Sequence, residues 1–249
     1  MPKMRIQKML SEAGIASRRD VEQMILQGRI LLNGQVVASL PCFVEPADEI
    51  RVDGQLVRKR RQQHVYVLLN KPRGVVCTQR DEPHYNRPRA IDLVPQIDQR
   101  IYCVGRLDED STGIILLTND GELTQRLTHP SFGVDKTYIA RVAGGVQPEE
   151  LAKLRRGMYI DGKRTAGADA RIVHRGADES MVQIRLAEGR NRQVRRVLAA
   201  LGHKVRRLHR VAIGPLSDRG LKIGRWRYLN AAEVATLRKL AGMEKAAKD

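Results

Sequence analysis

Residues 105–113, Gly105-Arg106-Leu107-Asp108-Glu109-Asp110-Ser111-Thr112-Gly113, gather one arginine and three carboxylates between two glycines. A carboxylate can act as nucleophile, as general acid or base, or as ligand to a hard cation, and three close together leave all of these open. The apolar run Ile114-Ile115-Leu116-Leu117 follows at once. Reactive groups are commonly held on a loop seated against a rigid strand, and this run supplies the strand.

The rest of the chain points to a polyanionic partner. Forty-five Lys and Arg against 28 Asp and Glu give a formal net charge of +17 over 249 residues, and phosphate neutralisation would supply much of the affinity for a nucleic acid. Aromatic residues make up only 4%. That is too few for a sheet of stacking rings, so shape and phosphate contacts should dominate. Cys42, Cys77 and Cys103 form no Cys-x-x-Cys pair and the six histidines no metal-like cluster, so reduced thiols and no structural zinc are expected. No apolar stretch approaches the roughly 18 residues of a membrane span, and the start lacks a signal-peptide core. A cytoplasmic protein without membrane contact is expected, and nothing in the chain demands more than a monomer.

The elements that must carry these groups fall into two parts. In the first, Ile6, Met9 and Leu10 predict one helix. Ser17, as N-cap, and Gly28, as stop, frame a second. Ile30-Leu31-Leu32, the Asn33-Gly34 turn, Val36-Val37, Ile50-Arg51-Val52 and Asp53-Gly54 then predict a small sheet. Arg18, Arg19 and Arg29 flank the second helix, where they could meet a phosphate backbone. The charged stretch 58–63 reads as a linker. The second part shows strands at Val65–Leu69, Ile114–Thr118, Lys136–Val142, Met181–Leu186 and Val211–Ile213. Helices are expected near Glu122–Leu127, Pro148–Arg155 and Gln193–Leu201. This order fits an α+β fold better than a doubly wound parallel sheet. Val194, Val197, Leu198 and Leu201 recur at helical spacing, so the basic segment 188–196 sits on a helix with one buried face.

The loop superficially matches the Asp-x-Asp-x-Thr signature of haloacid-dehalogenase-type phosphatases. That chemistry needs an apolar strand running into the first Asp and a later acidic motif; Arg106 stands in the strand's place, and no Gly-Asp-x-x-x-Asp follows. A different resemblance covers the chain from about Met4 to Leu240. Leu10 to Arg19 with Gly28 to Gly34 resembles the RNA-binding module named after ribosomal protein S4. Asn70-Lys71-Pro72-Arg73-Gly74, Gly105-Arg106-Leu107-Asp108, Leu117 to Gly121, Lys136-Thr137-Tyr138 and Glu188 to Arg196 closely resemble the pseudouridine synthases of the RsuA/RluB type.

The resemblance implies an α+β protein in which the small N-terminal RNA-binding module, 1–57, and the linker precede a catalytic domain, 64–240. That domain should have a mixed, largely antiparallel sheet with flanking helices, and 241–249 would form a tail. It implies that an RNA uridine has its glycosidic bond broken and its uracil rotated and rejoined through carbon, without cofactor. By motif position Asp108 becomes the catalytic aspartate, Tyr138 the ring that stacks on the uracil, and Arg195 the basic partner of Asp108. Arg106 becomes the wedge that fills the gap left by a flipped base. Lys71, Arg190, Arg192 and Arg196 are expected to touch RNA or solvent, alongside Arg18, Arg19 and Arg29. The implied substrate is ribosomal RNA, free or in a pre-ribosomal particle, the large subunit ahead of the small; an idle RNA-binding or assembly factor of the same fold is the alternative.

Overall fold

The structure, a computed structural model, describes residues 3–58, 63–78 and 87–243. Most of the expected linker, residues 59–62, and the tail from 244 onward lie outside them. The chain divides into two compact units that part between His64 and Val65.

The first unit packs α1 (Ile6–Glu12) and α2 (Arg18–Leu26) on a four-stranded sheet. Its strands, β1 (Ile30–Leu32), β2 (Gln35–Val36), β3 (Ile50–Val52) and β4 (Gln55–Leu56), lie in the order β2-β1-β3-β4. Ser17 starts α2 because its hydroxyl accepts from the Asp20 N–H at 3.1 Å while the Asp20 carboxylate accepts from the Ser17 N–H at 3.2 Å. These bonds satisfy two of the donors that every helix start leaves open. Ile6, Leu10, Val21, Ile25, Ile30 and Ile50 form the core.

The second unit is α+β, as expected. One sheet orders β8 (Asp169–Arg175), β9 (Glu179–Leu186), β7 (Lys136–Ala143), β10 (Val205–Ile213), β6 (Thr112–Thr118), β5 (Tyr66–Lys71) and β11 (Trp226–Tyr228), with two short strands at its sides. All pairings along this order are antiparallel except β10 with β6, which run parallel where His209 faces Thr112 and Arg210 faces Gly113. Around it pack α3 (Gly121–Thr128), α4 (Pro148–Arg156), α5 (Gln193–Ala200) and α6 (Ala231–Leu240). β5 and β6 are apolar on both faces. Leu68, Ile114 and Leu116 meet Leu123, Leu127 and Leu237 on one side, while Leu69, Ile115 and Leu117 meet Val75, Val94 and Leu107 on the other. This two-sided burial makes the floor of the carboxylate loop rigid.

Several elements differ from the sequence expectation. β10 begins at Val205, six residues before the expected Val211, because the basic run extends the ladder against β7. β8, β11 and α6 were not expected at all. The chain also does not leave the core at Leu240, where the tail was expected to begin: Ala241 is fully buried, and its carbonyl accepts from Arg126 at 3.0 Å.

His203 ties α4 to the turn before β10. Its Nδ1 faces the Ala143 carbonyl and its Nε2 the Glu150 carboxylate, each at 3.0 Å. Both neighbours are acceptors, so both bonds form only when the ring carries two protons. Burial opposes the charge, but the Ala143 and Glu150 hydrogen bonds outweigh it and raise the His203 pKa. A pKa raised on folding contributes stability that is complete below the unfolded value, near 6.5, and is lost as pH rises through the native one. His203→Gln is therefore expected to cost about 1–3 kcal/mol at pH 5.5 and clearly less at pH 8.5 in urea unfolding. A cost that is equal at both pH values would remove His203 as the source of the effect.

Candidate active site

The carboxylate loop hangs between the short strand Tyr102–Cys103 and β6. The Ser111 N–H donates to the Asp108 carbonyl at 3.1 Å, making a turn, and the Gly74 N–H donates to the Glu109 carbonyl at 2.9 Å. Lys71 fastens the same loop from beneath. Its Nζ donates to the carbonyls of Val75 at 2.8 Å, Pro72 at 2.9 Å and Glu109 at 3.5 Å. The expectation that Lys71 touches RNA is thereby corrected: its side chain is fully buried, and its donors are taken up by the chain's own carbonyls. Burial pulls its pKa down, against the opposing pull of nearby Cys77 and the loop carboxylates.

The three carboxylates separate. Glu109 turns outward to Arg87 at 2.8 Å. Asp108 and Asp110 face two arginines from the start of α5. Arg192 lies 3.5 Å from Asp108 and 3.3 Å from Asp110, and Arg195 lies 3.9 Å from Asp108 and 3.1 Å from Asp110. Arg195 is the more buried of the two and also donates to the buried Ser111 hydroxyl at 3.3 Å and the Val205 carbonyl at 3.3 Å. Burial alone would raise the Asp110 pKa, but the Arg192 hydrogen bond and the charges of Arg195 and Arg192 hold it below the usual carboxylate range.

Arg192, expected to touch phosphate or solvent, keeps 43% of its side chain exposed and also bridges the two aspartates; its backbone is left-handed, at φ +50°. Arg195 stands closer to Asp110 than to Asp108. Among the described residues no cluster of three or more His, Cys, Asp or Glu could hold a metal.

Asp108 borders two clefts. One, of about 80 Å³, is lined by Arg106, Leu107, Asp108, Ser111, Tyr138 and Arg192 among others. The second, of about 210 Å³, is lined by Arg106, Leu107, Asp108 and Glu109 with Cys77, Arg87 and Asn191. The Leu107 N–H donates to Cys77 Sγ at 3.4 Å, fixing the backbone beside Asp108. Arg106 is exposed at the edge common to both clefts. Tyr138 leans partly buried between the two apolar clusters of the sheet. Arg106, Asp108, Tyr138 and Arg192 thus line one cleft, and Arg195 approaches its aspartates. A carboxylate paired with guanidinium groups, beside a ring and an exposed cation, can act on a flat, anionic substrate.

Of the remaining basic residues, Arg190 also lines the smaller cleft. In the first unit Arg18 and Arg19 are exposed, while Arg29 is held by Asp53 through two hydrogen bonds of 2.8 and 2.6 Å. In the second, Arg190 donates to the Arg164 carbonyl at 2.8 Å, and Arg196 pairs with Asp161. Sequence reasoning missed Asn191 and Cys77 in the cleft wall and Arg210 behind Tyr138. Only the position of Asn191 within the basic motif could have signalled any of these.

Residues 65–200 match the family model described as RNA pseudouridylate synthase, and residues 4–50 match that of the S4 domain. The chain is 43% identical over 239 residues to a protein of Bacillus subtilis named ribosomal large subunit pseudouridine synthase B, covering 95% of this chain and 96% of that one. It is 41% identical over 245 residues to an RNA pseudouridine synthase of Aquifex aeolicus, covering 98% and 97%. A solved structure described as a pseudouridylate synthase superposes with a TM-score of 0.66 at 32% identity, over 94% of this chain and 99% of that one.

Proposed function

The chain belongs to the RNA pseudouridylate synthase family and is an RNA pseudouridine synthase; we propose that it converts a uridine of large-subunit ribosomal RNA, with Asp108 as the catalytic group. The observation that carries the residue assignment is the position of Asp108: it borders the cleft that Tyr138 and Arg106 also line, and two guanidinium groups approach its carboxylate. The choice of ribosomal RNA is supported by the 43% identity, over nearly the whole chain, to a protein named for the large subunit.

In this reading the target base leaves its stack, at a cost of a few kcal/mol, and enters the cleft. Arg106 occupies the space it vacates. The uracil lies on the Tyr138 ring, a contact worth about 1–3 kcal/mol. The Asp108 carboxylate acts on the sugar, by attack on the anomeric carbon or by removal of a neighbouring proton. Either requires the anion, which Arg192 and Arg195 orient with a partly desolvated pair of charges. The bond from N1 to the sugar breaks, the uracil turns within the cleft, and a bond forms from C5 to the same sugar carbon. The C5 proton leaves and N1 gains one, so no oxidant, reductant or cofactor is consumed. The exposed Arg18 and Arg19 of the first unit contact phosphates of the same RNA. The protein works as a cytoplasmic monomer on ribosomal RNA or a pre-ribosomal particle.

The test supplies large-subunit ribosomal RNA tritiated at uracil C5. One equivalent of tritium per RNA is expected in water, with a single new pseudouridine on mapping. Release from small-subunit RNA alone would overturn the substrate assignment.

A further inference from the structure

A buried arginine lies beside Tyr138. Arg210, on β10, is only 3% exposed, and no carboxylate pairs with it among the described residues. Its Nε donates to the Ile114 carbonyl at 2.7 Å, while its Nη2 is buried with no hydrogen-bond partner among them. An apolar side chain of similar volume would be cheaper at such a site, because a buried guanidinium gives up its hydration and here recovers only part of it. One neighbour is a ring: the guanidinium carbon stands 6.0 Å from the centroid of Tyr138, while Lys136, Cys77 and Cys103 also lie within reach of its charge. Tyr138 is also the residue opposite Arg210 in the β7–β10 ladder, and the register slips between Thr137 and Tyr138. Such irregularities re-aim the side chain beside them.

We propose that Arg210 is a positioning residue for the target base: anchored on the Ile114 carbonyl, it lies behind the Tyr138 ring and fixes its plane in the cleft that Asp108 borders. This rests on the reading that Tyr138 carries the uracil. Arg210 itself touches no RNA. It acts through the ring, whose electron-rich face attracts a cation out to about 6 Å. The Ile114 carbonyl follows directly on the Gly113 backbone that Arg210 abuts, so one side chain references both the ring and the end of the carboxylate loop to the same strand.

Two readouts test this. In single-turnover tritium release at saturating RNA, Arg210→Met is expected to slow the reaction about 10- to 30-fold with the RNA Kd held within about 2-fold. Arg210→Lys, which keeps a cation, should recover most of the rate. In the free protein labelled with 3-fluorotyrosine at its six tyrosines, the ¹⁹F resonance lost in Tyr138→Phe should shift or broaden in Arg210→Met while the others stay. Should Arg210→Met not fold, Arg210→Lys gives the same readout as a smaller displacement of that one resonance. A wild-type rate in Arg210→Met, a loss contained wholly in Kd, or equal displacement of all tyrosine resonances would overturn the proposal. Absence of tritium release from the wild type would count against the functional reading alone, and the ¹⁹F result would still decide the contact.

Discussion

Asp108→Asn is expected to abolish pseudouridine formation, lowering single-turnover tritium release by roughly 1,000-fold or more while RNA binding stays intact. The substitution keeps the shape of the side chain and removes the charge. The turn depends on the Asp108 carbonyl, which accepts from the Ser111 N–H, and so is untouched. Arg192 and Arg195 retain Asp110 at 3.3 and 3.1 Å, so neither guanidinium is left unpaired. Folding should therefore survive and the chemistry should not. Asp110→Asn makes the useful contrast. Its carboxylate is the anchor of both arginines, so its loss should misplace them and cost about 10- to 100-fold, less than the loss of the group acting on the sugar. Equal, modest losses in the two variants would show that the pair acts only as a scaffold and would sink the assignment of Asp108.

The largest effect on stability is expected at Gly113. A Cβ there would lie 2.3 Å from the carbonyl oxygen and 2.4 Å from the nitrogen of Arg210, both backbone atoms that cannot swing aside. The residue also has φ +115°, where side chains are strained. β6 and β10 meet in parallel at this point, and Gly113 is what lets them approach. Gly113→Ala should cost roughly 3 kcal/mol or more in urea unfolding, or leave the chain insoluble. Gly74→Ala isolates the backbone term. Gly74 has φ +81° but nothing within 4 Å of a Cβ, so only about 1–2 kcal/mol should be lost. If the two variants are equally stable, the close approach at Gly113 is not the constraint inferred here.

The sequence by itself determined the parts governed by neighbours a few residues away. The Ser17 cap, the Asn33-Gly34 turn and the apolar run of β6 were legible because capping, turn geometry and strand burial act locally. The carboxylate loop was legible for the same reason, and motif resemblance singled out one of its three acids. The run Arg206-Arg207-Leu208-His209-Arg210 defeated local reading, since charge density signals a surface segment and hides a strand whose Leu208 and Arg210 face inward.

Only the tertiary structure decided which cation serves what. Lys71 and Arg210 have the composition of RNA contacts, yet one is enclosed by three carbonyls and the other by a tyrosine ring and a strand. Arg192 and Arg195 reach Asp110 across 82 and 85 residues of chain. Such pairings depend on where β6, β10 and α5 come to rest against one another. Long-range packing sets those positions, and with them which arginine is buried against a carboxylate and which stays free for RNA.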